Sequence, residues 1–295
     1  MRIVLFGITG FGNAALRTLR SCGAEVVGLV TRRETGEFPY YREVNISAEA
    51  RHANIPVYDD LNLKSDRGVA LLRSLNPEFL FVSSFHQKIP LPVIQIPSRA
   101  AINLHPSLLP AYRGATPPSW CLMRGEEKTG VTAHFLTEQM DQGAIIAQKE
   151  ISVDASDTNG TLRFRLSQLI EDLLSDILGR VLRGEPLNGV DQEETRMSYH
   201  PKWTKKDGVI DFSESGAAIC RRIRASLPYP GARVIIAGKE LGIQKAWLLP
   251  NVHSDAAPGE VLERSLNLMA VATGKGVVQM IVDPTPVALS AVAGA

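Results

Sequence analysis

Short apolar runs that alternate with helix-like segments fill roughly the first 180 residues of this chain. Strand-like runs lie at residues 3–6, 25–30 and 79–82. Between them, and again over residues 162–181, apolar side chains recur every three or four positions, which is typical of a helix. Strands and helices in alternation predict an α/β domain built on a parallel, doubly wound sheet.

The pattern changes after this region. Residues 186–205 are polar and lack periodicity, which indicates a linker. One helix near residues 213–225 then precedes five short β-like runs, at residues 233–237, 241–248, 259–262, 269–272 and 277–282. We therefore predict a Rossmann-like domain over residues 1–185, the linker, and a small, mostly β domain over residues 206–295.

Composition excludes several functional classes. A net charge of +1 gives no overall basic field for nucleic acid or a membrane surface. The three cysteines, Cys22, Cys121 and Cys220, are far apart and form no CxxC pair, which fits a reducing compartment better than a disulfide framework. We find no signal-peptide pattern and no apolar run of about 18 residues, so we expect a cytoplasmic protein that does not enter the membrane.

A candidate site lies in the segment NLHPSLLP at residues 103–110. It follows a short apolar run, and Pro106 and Pro110 exclude a helix interior. Asn103 and His105 are two positions apart, so an extended chain presents both on the same side. Ligands bind at the ends of strands in α/β sheets. Taken alone, the pair fits a ligand site and a buried histidine satisfied by an amide equally well.

The first strand-to-helix turn is rich in glycine. Its spacing is GxxGxG (Gly7, Gly10, Gly12) and departs from the GxGxxG pattern of dinucleotide-binding proteins. Arg32 and Arg33 follow the second strand, where basic residues can hold a 2′-phosphate. An NADP-dependent oxidoreductase is thus one alternative, and a turn kept tight by glycine is the simpler interpretation.

The motifs together resemble a known family. Residues 103–110 with YRG at 112–114, TGVT at 129–132 and MDQG at 140–143 resemble the 10-formyltetrahydrofolate-dependent formyltransferases. Further motifs resemble the C-terminal OB-like domain of methionyl-tRNA formyltransferases, at residues 207–212, 223–225, 228–232, 258–261 and 272–274. The resemblance implies a Rossmann-like catalytic domain followed by a small OB-like β-barrel.

The resemblance assigns the chemistry to Asn103, His105 and Asp141. Formyl transfer to an amine passes through a tetrahedral oxyanion, which the amide of Asn103 can stabilise. His105 can relay the amine proton, and Asp141 can orient the imidazole and stabilise its cation. Asp141 could instead be an ordinary turn residue. His86 and His134 show no ligand-like spacing to His105, so we expect no metal site.

The same resemblance implies folate contacts around these three residues. They fall on Phe85, His86, Gln87, Ser107, Leu108, Leu109, Gly114, Met140 and Gln142. Phe85 and His86 replace a Tyr-Gly pair that is frequent in the family, which puts the shape of this loop in question.

The motifs leave open which amine accepts the formyl group. Methionyl-tRNA formyltransferases carry a basic insert where this chain has TGEFPYYREV at residues 35–44, a segment of mixed charge in which Tyr40 and Tyr41 could line a pocket. Residues 206–295 hold nine Lys and Arg against eight Asp and Glu, whereas nucleic-acid binding usually requires a basic surface. We therefore expect a small amine-bearing acceptor, such as a nucleotide-linked amino sugar, with charged tRNA second and hydrolysis of the donor third. The sequence leaves the oligomeric state and the pathway open.

Overall fold

The structure is a computed structural model that describes residues 1–236 and 238–283. The chain divides into two compact units. The first unit holds Met1–Pro117, Glu127–Val153 and Thr161–Pro201. The second holds Pro118–Glu126, Asp154–Gly160 and the chain from Lys202 onward. Each unit has its own sheet.

A seven-stranded sheet forms the centre of the first unit, in the order β3-β2-β1-β4-β5-β7-β8. Its strands are β1 (Arg2–Gly7), β2 (Glu25–Thr31), β3 (Val57–Asp59), β4 (Phe79–Ser83), β5 (Ala100–His105), β7 (Lys128–Phe135) and β8 (Ile145–Ser152). A separate pair joins β6 (Arg113–Gly114) to β9 (Tyr199–His200). The Rossmann-like expectation is confirmed for this unit.

The sheet is mixed rather than wholly parallel. Strands β1 to β5 run parallel, but β7 pairs antiparallel with β5, and β8 antiparallel with β7. The expectation of a purely parallel sheet fails here because residues 106–127 do not carry the chain back across the sheet. The chain re-enters the sheet at the edge it has just left, which brings His105 opposite Thr132.

Helices flank the strands in the order of the alternating sequence pattern. They are α1 (Phe11–Ser21), α2 (Ile46–His52), α3 (Asp66–Ser74), α4 (Leu91–Ile94) and α6 (Asn159–Leu182), whereas nearly all of α5 (Pro117–Arg124) belongs to the second unit. Side-chain caps begin two of them: Asn45 accepts from the N–H groups of Ser47 and Ala48, and Ser65 accepts from that of Gly68. The central strands β1, β2 and β4 are buried on both faces, as Val4 and Leu5 show, which explains their continuous apolar sequence.

The second unit is an antiparallel sheet with one helix, α7 (Gly216–Ser226), packed on it. Its strands lie in the order β10-β11-β14-β13-β12. They are β10 (Ala232–Ile236), β11 (Lys239–Leu248), β12 (Val261–Ser265), β13 (Leu268–Ala272) and β14 (Val277–Asp283). All five β-like runs of the sequence are thus strands, and Ala237, predicted to end the first, lies outside the described residues.

The segment interpreted as a linker has a definite conformation. Val190 bridges to Ile145, a 3₁₀ turn covers Glu194–Arg196, and β9 follows. We call residues 190–200 the strap. Its contacts with the rest of the first unit include backbone hydrogen bonds, side-chain hydrogen bonds and the stacking of His200 on Tyr112. Such contacts leave no hydrophobic periodicity for sequence reasoning to detect.

Within residues 1–236 and 238–283, no helix combines the length and the apolar character needed to cross a membrane. Cys22, Cys121 and Cys220 form no disulfide with one another.

Candidate active site

Asn103 and His105 lie at the carboxyl end of β5, on the edge where the chain returns as β7. The register of these strands places Asn103 opposite His134. Asp141 comes from the turn between β7 and β8, in a left-handed conformation with φ of 58°. The structure thus brings together the three residues that the sequence motifs assign to chemistry.

The carboxylate of Asp141 is the centre of this cluster. Its Oδ1 lies 3.6 Å from His105 Nδ1 and 3.7 Å from His134 Nε2, and it accepts a hydrogen bond from Asn103 Nδ2 at 3.3 Å. Its Oδ2 accepts from the N–H of Gly114 at 2.9 Å. Both carboxylate oxygens are therefore held in place by groups from other segments.

The neutral tautomer of His105 follows from its partner. Nε2 lies 2.9 Å from the carbonyl oxygen of Tyr112, which can only accept, so Nε2 carries the proton and donates. In the neutral imidazole, Nδ1 then holds a free lone pair on the side that faces Asp141. This atom is positioned to take up a proton.

Burial and neighbouring charges determine the protonation states of His105 and Asp141. Burial of the His105 imidazole lowers its pKa from the usual value, and this effect outweighs the carboxylate of Asp141, which raises it. Burial opposes ionisation of Asp141, yet the two histidines and the Gly114 N–H prevail and hold its pKa well below the ordinary range. The resting pair is an ionised carboxylate beside a neutral imidazole.

His134 is a member of the site that sequence reasoning missed. Its Nδ1 donates to the carbonyl of Phe135, so Nε2 accepts from Asn103 Nδ2 at 3.0 Å. Both amide hydrogens of Asn103 are therefore engaged, one with His134 and one with Asp141. The register between β5 and β7 could have identified His134, but this register can be derived only once the two strands are known to be antiparallel.

Unusual backbone conformations concentrate around the cluster. Tyr112 and Thr116, like Asp141, have positive φ values of 62° and 58°. Gly114 has φ of 101°, and a Cβ atom there would collide with the carbonyl oxygen of His200. Glycine is required at this position for its conformation and for the close approach of the strap.

Arg113, which directly precedes Gly114 in the chain, is buried, with 2% of its surface exposed. Its Nη1 and Nη2 donate to the two carboxylate oxygens of Glu194 in the strap, at 3.0 and 2.6 Å. The bidentate geometry suits a guanidinium and fixes the adjacent Gly114 in position. The arginine of the YRG motif thus has a structural function in this loop.

The expected folate contacts fall into two groups. Ser107 and Leu109 are buried and bonded internally: the Ser107 hydroxyl donates to Ala111 O at 2.8 Å, and the Leu109 N–H donates to Thr132 Oγ1 at 3.1 Å. Gly114 likewise gives its N–H to Asp141. These bonds hold the segment around His105 and Asp141 in its conformation.

The remaining residues that are expected to contact folate have exposed or half-buried side chains. Exposed side chains among them are His86, Gln87, Met140 and Gln142. Phe85 is half-buried, with its ring 5.3 Å from that of Phe6 and 4.5 Å from that of His86. Leu108 is half-buried as well, beside Gly130.

The N–H groups of Thr9, Gly10 and Gly12 in the glycine turn of the first βαβ unit are already bonded within the protein. The N–H of Thr9 donates to Glu34 Oε1 at 3.3 Å, and the Thr9 hydroxyl also bonds to Glu34. Gly10 N donates to Asn13 Oδ1 at 2.9 Å, and Gly12 N to the carbonyl of Ile8 at 3.1 Å. A carboxylate already lies where a dinucleotide would place its phosphates, which argues against the NADP interpretation.

The aromatic segment over residues 35–44 packs onto the body of the first unit. Phe38 lies against Gly10, and its ring is 4.9 Å from that of Tyr41. Tyr40 stacks on the guanidinium of Arg163 at 4.2 Å, and Tyr41 packs 5.4 Å from the ring of Phe164. Cation–π and edge contacts of this kind hold the two tyrosines in place within the protein itself.

Comparison with known proteins identifies the family. The formyl transferase family model matches residues 1–178, and the model of the formyl transferase C-terminal domain matches residues 202–282. A methionyl-tRNA formyltransferase of Citrifermentans bemidjiense is 34% identical over 278 residues, which cover 94% of this chain and 86% of that protein.

Solved structures share the fold at lower identity. WlaRD, a sugar 3N-formyl transferase solved with dTDP and 5-N-formyl-THF, gives a TM-score of 0.75 at 19% identity over 97% of this chain and 98% of its own. An N-formyltransferase from Helicobacter canadensis, solved with folinic acid and dTDP-3-aminofucose, gives 0.70 at 16% identity, over 95% of this chain and 98% of its own. The chain therefore belongs to the formyl transferase family, and it is an enzyme that uses a formyl-tetrahydrofolate.

Proposed function

We propose that this enzyme moves the formyl group of 10-formyltetrahydrofolate to a primary amine, with Asn103, His105 and Asp141 as its catalytic residues. The observation that carries the proposal is the unprotonated Nδ1 of His105, 3.6 Å from an ionised, buried carboxylate. Such a pair accepts one proton readily and stabilises it, which is what amine formylation requires.

The residues present fit this donor. When bound, 10-formyltetrahydrofolate would supply a formyl carbon that an amine can attack, with its N10 nitrogen, which lies between the pterin and the benzoyl ring, as the leaving amine. Attack requires a neutral amine and a group that takes its proton. The lone pair of His105 Nδ1 accepts that proton, and Asp141 holds the resulting imidazolium in place.

The same proton then completes the exchange. His105 donates it to the departing folate nitrogen, so the imidazole is neutral again when the formamide is formed. The carbonyl of Tyr112 keeps Nε2 protonated throughout, so Nδ1 is the atom that receives and returns the proton.

Asn103 stabilises the negative charge that develops on the formyl oxygen. Of its two amide hydrogen bonds, the one to Asp141 is the longer, at 3.3 Å against 3.0 Å to His134. Because this bond is the weaker one, its hydrogen can be shared with the formyl oxygen, while the bond to His134 keeps the plane of the amide in position. A preorganised donor of this type lowers the barrier most in a buried site.

For the acceptor we propose a small amine, such as an amino sugar carried on a nucleotide. Support comes from residues 35–44, whose aromatic side chains pack inward and whose charged side chains are mixed in sign. Glu43 in this segment pairs with Arg17 at 3.2 Å. A segment of this composition offers few cations for a phosphate backbone.

Charged initiator tRNA is the second candidate, and one specific observation favours it. The relative from Citrifermentans bemidjiense that is 34% identical over 94% of this chain is a methionyl-tRNA formyltransferase. The match extends through both units, including the C-terminal domain.

The deciding experiment compares acceptors at a fixed concentration of 10-formyltetrahydrofolate, with tetrahydrofolate release followed by absorbance. Amino-sugar nucleotides and charged initiator tRNA are tested at 50 and 200 mM salt. Turnover on an amino-sugar nucleotide with a shallow salt dependence supports the small acceptor. Turnover on tRNA alone, with log K falling by about 0.9 per phosphate contacted for each tenfold rise in salt, supports the second candidate. Formate release without any amine indicates hydrolysis.

A further inference from the structure

Gln192 of the strap bonds to two segments that hold Asp141. One is the β7–β8 connection that contains Asp141 and Gly143, which we call the turn, and the other is the segment that contains Arg113 and Gly114, which we call the loop. Gln192 Nε2 donates to the carbonyl oxygens of Asp141 and Gly143, both at 2.8 Å. Its Oε1 accepts from Nε and Nη2 of Arg113, at 3.1 and 2.8 Å. One side-chain amide therefore makes four hydrogen bonds, two to each segment.

Each of these segments determines where the carboxylate of Asp141 lies. The turn sets the position of the Asp141 backbone, which has the left-handed conformation described above. The loop sets the position of the Gly114 N–H, which binds Oδ2 and follows Arg113 directly in the chain. A connection between the turn and the loop therefore fixes the carboxylate from both sides.

The chemistry of the bonds selects glutamine at this position. The turn presents two carbonyl oxygens and needs two donors, whereas Arg113 presents N–H groups and needs an acceptor. A primary amide supplies both on one planar group, and a carboxylate or an aliphatic chain of the same length does not. Leaving the turn carbonyls or the buried guanidinium without this partner also costs free energy.

We infer that Gln192 is a positioning residue for formyl transfer, which holds Asp141 at the correct distance from His105 by joining the turn to the loop. This inference rests on the proposed function of the catalytic pair. Gln192 bonds to the backbone of Asp141 and not to its carboxylate, so it acts through Asp141.

Two consequences separate positioning from general stability. First, the loss should fall on kcat rather than on KM, because no substrate-binding group is removed. Second, a carboxylate that moves away from His105 no longer raises the pKa of the imidazole. Burial then lowers that pKa further, and the histidine titrates at a lower pH than in the wild type.

The test uses Gln192→Glu and Gln192→Met in the full-length protein, with Glu193→Gln as the matched control. Gln192→Glu keeps an acceptor for Arg113 but loses both donors to the turn, and Gln192→Met loses all four bonds. Glu193 is exposed, and its ion pair is with Arg196 in the same 3₁₀ turn. We expect kcat to fall roughly 10- to 100-fold in both Gln192 variants, as for small misplacements of catalytic groups. KM should change less than about threefold, and the control should match the wild type.

Histidine NMR on the ligand-free protein supplies the second measurement, with His105 assigned by its absence in His105→Gln. A shift of its titration to lower pH in Gln192→Met, which adds no charge near the imidazole, supports the inference. Unchanged kcat in both Gln192 variants, a rise in KM with kcat preserved, or an unmoved His105 titration would overturn it. If the wild type transfers no formyl group, the proposed function fails, but the His105 titration still decides whether Gln192 positions Asp141. Gln192→Glu remains informative if Gln192→Met does not fold.

Discussion

The Nδ1 atom of His105 lies 3.6 Å from Oδ1 of Asp141, too far for a good hydrogen bond and close enough for strong electrostatic attraction. In the resting pair the imidazole is neutral, so little of this attraction is realised. Protonation of His105 creates a buried ion pair whose Coulomb energy is on the order of 4 kcal/mol at an effective dielectric constant of about 20. The geometry thus favours the charged state that arises only during proton transfer.

The pH dependence of turnover should reflect the lowered pKa of His105. Burial, the largest influence, keeps the imidazole neutral below its ordinary value of about 6.5, so the base remains competent as the pH falls through 6.5. We expect kcat at saturating donor and amine to stay flat between pH 8 and 6.5 and to decline only at lower pH. An acid limb centred at 6.5 or above would contradict this assignment.

Asp141→Asn should lower turnover by ~10²-fold or more, because a neutral amide cannot stabilise the imidazolium. Circular dichroism and thermal melting should show a folded protein, since the substitution preserves shape. Glu138→Gln is the matched control, because Glu138 is exposed on the same β7–β8 connection. Equal activity of the two variants would exclude Asp141 from catalysis.

Gly114→Ala should reduce both stability and activity. Its φ is 101°, and the new methyl group would collide with the carbonyl of His200 and displace the N–H that binds Asp141. Gly184→Ala is the control, because Gly184 has φ of 73° but nothing within 4 Å of the added carbon. Urea unfolding should show a loss of about 1 kcal/mol for the control and clearly more for Gly114→Ala, with turnover reduced only in the latter. Similar losses in both would mean that conformation alone, and not contact with the strap, determines the effect.

The protein should bind folates and not nicotinamide nucleotides. The donors of the glycine turn are already bonded, and Glu34 would repel a pyrophosphate. Calorimetry with 5-formyltetrahydrofolate and with NADPH checks this directly. Micromolar binding of NADPH with no heat from the folate would favour the oxidoreductase.

The parts of the site that follow from local sequence were predictable. Two-residue spacing places Asn103 and His105 on one side of any strand, and prolines confine them to its end. Asp141 lies 36 residues beyond His105 by sequence number, and only family resemblance connected it with them. Once the fold is known, strand register explains why these segments meet.

Other features depend on tertiary contacts that leave little trace in the sequence. His134 enters the site because β7 runs antiparallel to β5, and the alternation of strands and helices predicted the opposite direction. Gln192 was predicted to lie in a linker, because a polar segment without periodicity has the sequence character of a linker whatever tertiary contacts it makes. Tyr40 and Tyr41 were considered as pocket residues, whereas Tyr40 packs on Arg163 and Tyr41 on Phe164.

The position of the strap along the chain has a consequence for the order in which the protein matures on the ribosome. All seven strands of the large sheet have been synthesised once translation has passed β8 and α6, but Gln192, Glu194 and Ser198 are translated afterwards. The N–H groups of Tyr112 and Arg113 find their partners in Ser198 only at that stage. A nascent chain ending near residue 182 would hold the sheet and the three proposed catalytic side chains without the bonds that align them. We therefore expect catalytic competence to arise only once the last segment of the first unit, through Ser198, has been synthesised.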